Sequence, residues 1–411
     1  MKHFGKHSFL SLILFALLFV SACRKSADDR SGDGSNIFRD VPASRLAYNF
    51  TPDTEAPAGL PPVAEETKLK PIQDDFDARR KDDRLLRTVV SPDGQRALAV
   101  YDTGETQEGE FRLDMYAADG RFLRNLTPPE LSGAFAQVIT WSPDGNLIAF
   151  VGRKSLTPAT PPDMIPETAP VAPLPSPTVA PLFAPVPVFN TEQIYVCNRD
   201  GFDLRPLTTR DGLIYFNFKW APDSHAVVAL ACREDEWEAQ ERANKQPAGR
   251  PRLVAMDGRE RLLDDALTEA APVWSPDASK VATGFETNVK IYDALLENPT
   301  QAVIPLRDSL MAASIIYDEK NLESKSKRSD SESNKNGGAP QTNAPPVSFN
   351  PIVRLAWPDS RTLFVQTAYI RIYAGEPVNN FQRWHRINLS LQAAARARVE
   401  VVEEKSKTRA A

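Results

Sequence analysis

Five aspartates and two histidines are the residues of this 411-residue chain that invite a search for chemistry. Asp93, Asp144, Asp223, Asp277 and Asp359 each follow a proline, at Pro92, Pro143, Pro222, Pro276 and Pro358. Gathered in one place, such carboxylates could activate water or hold a cation. They recur instead in one short phrase repeated along the chain, so successive copies spread them out. There they read as turn formers. Proline presets φ, Asp bonds its own backbone, and Gly94 and Gly145 accept a left-handed conformation. His225 follows one of these turns, and His385 lies in Arg383-Trp384-His385-Arg386. Two histidines without a spacing relation make a poor metal site. The chain has no Gly-x-Ser-x-Gly elbow and no phosphate-cradling Gly-rich loop. No catalytic residue, cofactor or metal is therefore expected. The charges of Arg233, Glu234, Arg371 and Arg383 would favour an enzyme only if they met at one mouth.

The phrase that carries the aspartates is an apolar strand, a Pro-Asp turn and a second apolar strand. Its copies centre on Val90, Trp141, Trp220, Trp274 and Trp357. A second phrase, strand, Asp-Gly turn, strand, follows at Leu113–Gly120, Ile194–Gly201 and Arg252–Gly258. Four short strands per repeat predict an all-β propeller of four-stranded antiparallel blades. The compact intervals, 51 and 54 residues, suit one blade each, and the longer two, 79 and 83, hold inserts. Five repeats are recognisable. Phe50-Thr51-Pro52-Asp53 offers a degenerate sixth hairpin near 45–70, which puts six blades slightly ahead of five. The four tryptophans share one blade position and are expected to pack between sheets.

Trp-Ser-Pro-Asp-Gly with a downstream Ile-Tyr-Val, Asp-Gly and Leu-Thr resembles the TolB-type propeller repeat over about residues 82–400. The resemblance implies the fold and favours six blades. TolB-type proteins contact a peptidoglycan-associated lipoprotein. Residues 24–80 are too short and polar for the extra N-terminal domain of that family, so this partner is not carried over.

Lys2 and Lys6 precede an apolar run from Phe9 to Val20, which ends in Val20-Ser21-Ala22-Cys23. A basic start, a short apolar stretch and small residues predict a signal peptide over 1–22. The last four residues resemble the bacterial lipobox, which implies lipidation of Cys23 and a mature chain starting there. Residues 23–80 would be a polar tether, 81–403 the propeller, and 404–411 a disordered tail. Arg24 in place of Asp weakly favours the outer membrane, with the protein facing the periplasm or exterior.

Removing Lys2 and Lys6 takes the formal charge from −5 to −7, against a nucleic-acid partner. Cys197 and Cys232 could pair in an oxidising compartment, though buried free thiols are the commoner outcome. Disordered inserts are expected at 154–189, where Thr157 to Val188 holds eleven prolines, and at 319–348. Arg233–Arg242 reads as a short exposed helix. Strand alternation places all three interruptions on the face opposite the tight turns. The expectation is a non-catalytic, lipid-anchored scaffold at the cell envelope that binds a protein or peptide through that face. The alternative is an envelope hydrolase or lyase acting on peptide or polysaccharide at the channel mouth.

Overall fold

The structure is a computed structural model that describes residues 38–60, 68–103, 109–156, 185–329, 347–373 and 376–391. Side chains are described there except at 318, 321–349 and 370–380. The segment containing Cys23, most of the Pro-rich insert and the 404–411 tail lie outside the described residues. Among the described residues, no helix is long and apolar enough to cross a membrane.

Strand β1 (Ala47–Thr54) comes first, then helix α1 (Lys70–Arg79). The first unit is β2 (Arg84–Val90), β3 (Arg96–Asp102), β4 (Glu110–Ala117) and β5 (Phe122–Asn125). Unit two is β6 (Leu131–Ala134), β7 (Thr140–Trp141), β8 (Leu147–Lys154), β9 (Gln193–Asn198) and β10 (Arg205–Pro206). Unit three is β11 (Leu213–Trp220), β12 (Ala226–Arg233), helix α2 (Glu234–Arg242), β13 (Arg250–Ala255) and β14 (Glu260–Leu262). Unit four is β15 (Val273–Trp274), β16 (Lys280–Phe285), β17 (Asn288–Asp293) and β18 (Gln301–Pro305), followed by helix α3 (Arg307–Ser329). Unit five gathers β19 (Val347–Phe349), β20 (Ile352–Asp359), β21 (Thr362–Tyr373) and β22 (Glu376–Ser390). All strand pairs are antiparallel, as in a propeller-like all-β fold.

The turns that build the units behave alike. The Asp93 carboxylate accepts from the Ser91 hydroxyl at 2.6 Å and the Gln95 N–H at 3.0 Å. Asp144 and Asp277 repeat both bonds, and Asp223 and Asp359 repeat the backbone one. The residue after Asp holds positive φ even where glycine is gone, at Ser224 (63°) and Ala278 (58°). The turns also meet across units. Arg199 pairs with Asp93 at 2.6 Å, and the Asp144 N–H donates to Ser224 Oγ. Hydrogen bonds from Ser91, Gln95 and Arg199 hold the Asp93 carboxyl down at about 2.

Each neighbouring pair of units shares an apolar cluster, from Leu98 with Trp141 in the first pair to Ile291 with Leu355 in the last. Among the described residues no such cluster joins units five and one. Instead α1 covers the free face of unit one, burying Ile72 and Phe76 against Leu85 and Tyr101.

Three expectations need correction. The segment read as a degenerate sixth hairpin is β1, which pairs with β22 from Ala47↔Ser390 to Thr54↔Trp384 as an edge strand of unit five's sheet. The stretch read as a polar tether contains β1 and α1, because Leu69, Ile72 and Phe76 at helical spacing give it an apolar face to bury. The insert expected to be disordered from 319 is helical as far as Ser329, continuing α3, and its end forms β19 against β21. Residues 330–346 lie outside the described residues. The helix expected at Arg233–Arg242 is α2.

Candidate functional site

The second loops and crossovers open on one face, where a cavity of about 530 Å³ lies between units one, two and three. Arg84, Glu110, Phe135, Arg153, Glu192 and Trp237 contribute to its lining. No residue in this set follows from linear spacing. Strand register brings them together.

Strand β6 is the joint. It pairs with β4 through Glu110↔Ala134 and Phe111↔Gly133, and with β8 through Ser132↔Arg153 and Ala134↔Val151. The chains approach so closely that a Cβ on Gly133 would overlap the Phe111 ring, so glycine is required. The β8–β9 ladder ends at Gly152↔Gln193, which leaves Arg153 beside Glu192. One guanidinium therefore spans two carboxylates. Arg153 Nη1 lies 2.9 Å from Glu192 and Nη2 lies 3.3 Å from Glu110. Both glutamates are buried, at 3% exposure for Glu110 and 8% for Glu192.

The charges are not fully satisfied. Glu110 Oε2 is buried without a hydrogen-bond partner among the described residues. Burial raises the Glu192 carboxyl above its ordinary range, against the opposing pull of Arg153. A carboxyl of raised affinity for protons beside one with a vacant acceptor is an acid–base arrangement.

Helix α2 forms the apolar wall. Its acidic first turn suits the helix dipole, and the Arg233 N–H donates to Glu236 at 3.0 Å. Arg250 grips Glu236 with two bonds of 2.7 and 2.8 Å, which hold that carboxyl at about 2. Trp237 then lies against Phe135 and Phe216, with ring centroids 5.4 and 5.5 Å apart.

The residues singled out from sequence fall elsewhere. Arg233 pairs with Asp235 and Glu236, and Glu234 opens α2 without reaching the cavity lining. Arg383 is buried against Asp53, and the Arg371 side chain lies outside the described residues. His225 is exposed in its turn. His385 lies 2.9 Å from Thr367 Oγ1 by Nε2 and accepts the Asp53 N–H at Nδ1. An amide can only donate, so Nδ1 is the bare nitrogen and Nε2 gives its proton to Thr367. That tautomer is the reverse of what a base for a threonine nucleophile requires. Burial lowers the His385 pKa to about 4, so the ring is neutral and structural. Cys197 and Cys232 are free and buried, and burial pushes both thiols up to about 12. No group of three potential metal ligands occurs among the described residues. The tryptophans are buried between sheets, at 6% exposure for Trp141 and 8% for Trp220, Trp274 and Trp357.

No family model and no curated protein matches the chain. Similar solved structures include one from a study of two prolyl endopeptidases, at 9% identity and TM-score 0.37. That match covers 92% of this chain and 47% of the other. Dipeptidyl peptidase 4 of Porphyromonas gingivalis is similar at 12% identity and TM-score 0.33, over 72% of this chain and 46% of its own. A nidogen/laminin complex is similar at 9% identity and TM-score 0.29, over 73% and 82%. The chain spans about half the length of these peptidases. The neighbours support a propeller fold and do not establish a TolB-type lipoprotein. The expectation of a non-catalytic scaffold, and with it of no enzyme, is overturned. Several of the similar structures are named as prolyl endopeptidases and dipeptidyl peptidases, and the alternative, a hydrolase acting on peptide, fits those names better. Charges do converge in this cavity, through Glu110, Arg153 and Glu192 in place of the loop charges named above.

Proposed function

We propose that this protein hydrolyses peptides at the mouth lined by Glu110, Arg153 and Glu192. The observation that carries the reading is the pair of buried glutamates on one guanidinium at the cavity wall, with Glu110 Oε2 left without a hydrogen-bond partner among the described residues. In this scheme Glu110 takes a proton from water as it attacks the peptide carbonyl, and Glu192 gives one to the leaving amine. Arg153 fixes both carboxylates, while Trp237 and Phe135 hold apolar side chains. Peptide is the substrate for which the prolyl endopeptidase and dipeptidyl peptidase neighbours are named.

The setting belongs to the same proposal. Five blades form the ring, with β1 as the outer strand of the last. The chain is carried to the cell envelope by its signal segment and held there by acyl chains on Cys23, the outer membrane being weakly favoured. Intact-mass measurement of the mature N-terminus tests the anchor, and an unmodified Cys23 would contradict it.

The chemistry is tested with purified protein and a defined peptide mixture, following cleavage by mass spectrometry. Glu192→Gln and Glu110→Gln keep shape and lose proton transfer, so each should slow cleavage about 100-fold or more. Unchanged rates in both variants would refute the assignment.

A further inference from the structure

The cavity beside helix α2 holds a negative charge that the proposed chemistry does not use. Its lining brings Asp102, Glu110, Glu192 and Glu241 together with Arg84 and Arg153. Arg84 pairs with Asp102, and Arg153 with Glu110 and Glu192. With Glu192 carrying the proton it donates, each guanidinium has one charged partner. Glu241 is left over. It is exposed and makes no ion pair or side-chain hydrogen bond among the described residues.

A free glutamate is ordinary on a surface, but this one stands four residues after Trp237 on α2. Residues at that spacing share one helix face, with Cβ atoms about 5–6 Å apart. Both line the cavity. The Trp237 ring is only half-buried, although Phe135 and Phe216 pack against it. Phe135 reaches it from a left-handed backbone, with φ at 59°. Bulky residues disfavour that conformation. Here Arg87 steadies the segment by donating to the Ala136 carbonyl. The fold thus holds a strained residue where its ring can wall the cavity that Glu241 lines. An aromatic wall next to a free carboxylate suits a long cationic side chain. Its methylene stem packs on the rings, its charge lies within about 6 Å of the indole, and the carboxylate balances that charge. A neutral apolar side chain would use the rings and leave Glu241 unmatched, and an acidic one would be repelled.

We propose that Trp237, Phe135 and Glu241 form a specificity subsite that takes a lysine or arginine side chain of the peptide. The subsite rests on the peptide reading for its occupant and narrows that reading from peptides in general to basic ones. The α-amino group of a peptide carries the same charge, so the test separates the two sources.

The experiment measures binding and not turnover. A short alanine peptide with one central lysine is N-acetylated and labelled with fluorescein at its C-terminus, beside its norleucine counterpart. Each is titrated with the full-length protein, and anisotropy is read directly after mixing. The lysine peptide should bind at least about tenfold tighter than the norleucine one. Glu241→Gln should remove that margin, Trp237→Leu should cut it several-fold, and added salt should shrink it. Glu241 is exposed, so Glu241→Gln should unfold at the same urea concentration as the parent, which separates loss of the margin from loss of the fold. Equal binding of the two peptides by the parent protein would overturn the subsite. A full margin in Glu241→Gln would do the same. A norleucine peptide with a free α-amine that binds as tightly as the acetylated lysine peptide would overturn the side-chain assignment. An intact margin in a protein that cleaves nothing would support the subsite and overturn the hydrolytic reading alone.

Discussion

The four tryptophans occupy one repeat position but not one bonding state, and this difference predicts their individual contributions to stability. Trp141 donates its Nε1–H to the Val89 carbonyl, and Trp274 donates to the Lys219 carbonyl, both at 3.1 Å. Each bond crosses from one unit to the first strand of the unit before. Trp220 and Trp357 are equally buried, yet their Nε1–H groups have no partner among the described residues. Trp→Phe at any of the four removes similar apolar area. At Trp141 and Trp274 it also removes a hydrogen bond, about 1 kcal/mol net. At Trp220 and Trp357 it removes an unpartnered donor and so relieves a desolvation penalty of about 1–3 kcal/mol. The bonded pair should therefore be more sensitive by about 2 kcal/mol. With an m-value near 3 kcal/mol per molar urea, that gap is roughly 0.7 M in the unfolding midpoint. Equilibrium urea unfolding, followed by far-ultraviolet circular dichroism, measures it. Equal shifts for all four variants, or a larger loss at Trp220 and Trp357, would refute the reasoning.

Two further outcomes follow from buried contacts. His385 has an ordinary pKa of 6.5, lowered in the fold to about 4. The unfolded chain therefore binds the proton first, and stability present above about pH 6.5 is lost as pH falls toward 4. The loss amounts to about 3 kcal/mol. His385→Gln should flatten the stability profile across that window, and an unchanged slope would contradict the account. Gly120 holds φ at 92°, and a Cβ there would lie 2.7 Å from the Pro71 carbonyl oxygen at the start of α1. Gly120→Ala should cost about 1–3 kcal/mol and speed proteolysis within Lys70–Arg79. Parental stability and parental cleavage kinetics would show that α1 does not dock as described.

What could be read from sequence divides along local and non-local lines. The Pro-Asp turns were legible because proline, aspartate and the serine two residues earlier make their bonds within a few positions, as at Ser91, Asp93 and Gln95. The place of β1 was not, since its partner Ser390 lies at the other end of the chain from Ala47. Helix α1 left a usable signal in Leu69, Ile72 and Phe76, masked by the charged residues between them. The candidate site was the least legible part. Glu110, Arg153 and Glu192 stand at the ends of different strands, and only the double pairing of β6 brings Glu110 and Arg153 together. The one available hint was positional, because all three flank second loops on the insert-bearing face. The same face was inferred from strand alternation alone.

Hydrolysis leaves an atomic record. The protein is incubated with a peptide mixture in 18O-labelled water, and new termini are read by mass spectrometry. The account predicts new carboxyl termini carrying one 18O atom with the parent protein, and none above background with Glu110→Gln or Glu192→Gln. A parent protein that generates no labelled termini from any peptide, or variants that label as fast as the parent, would contradict it.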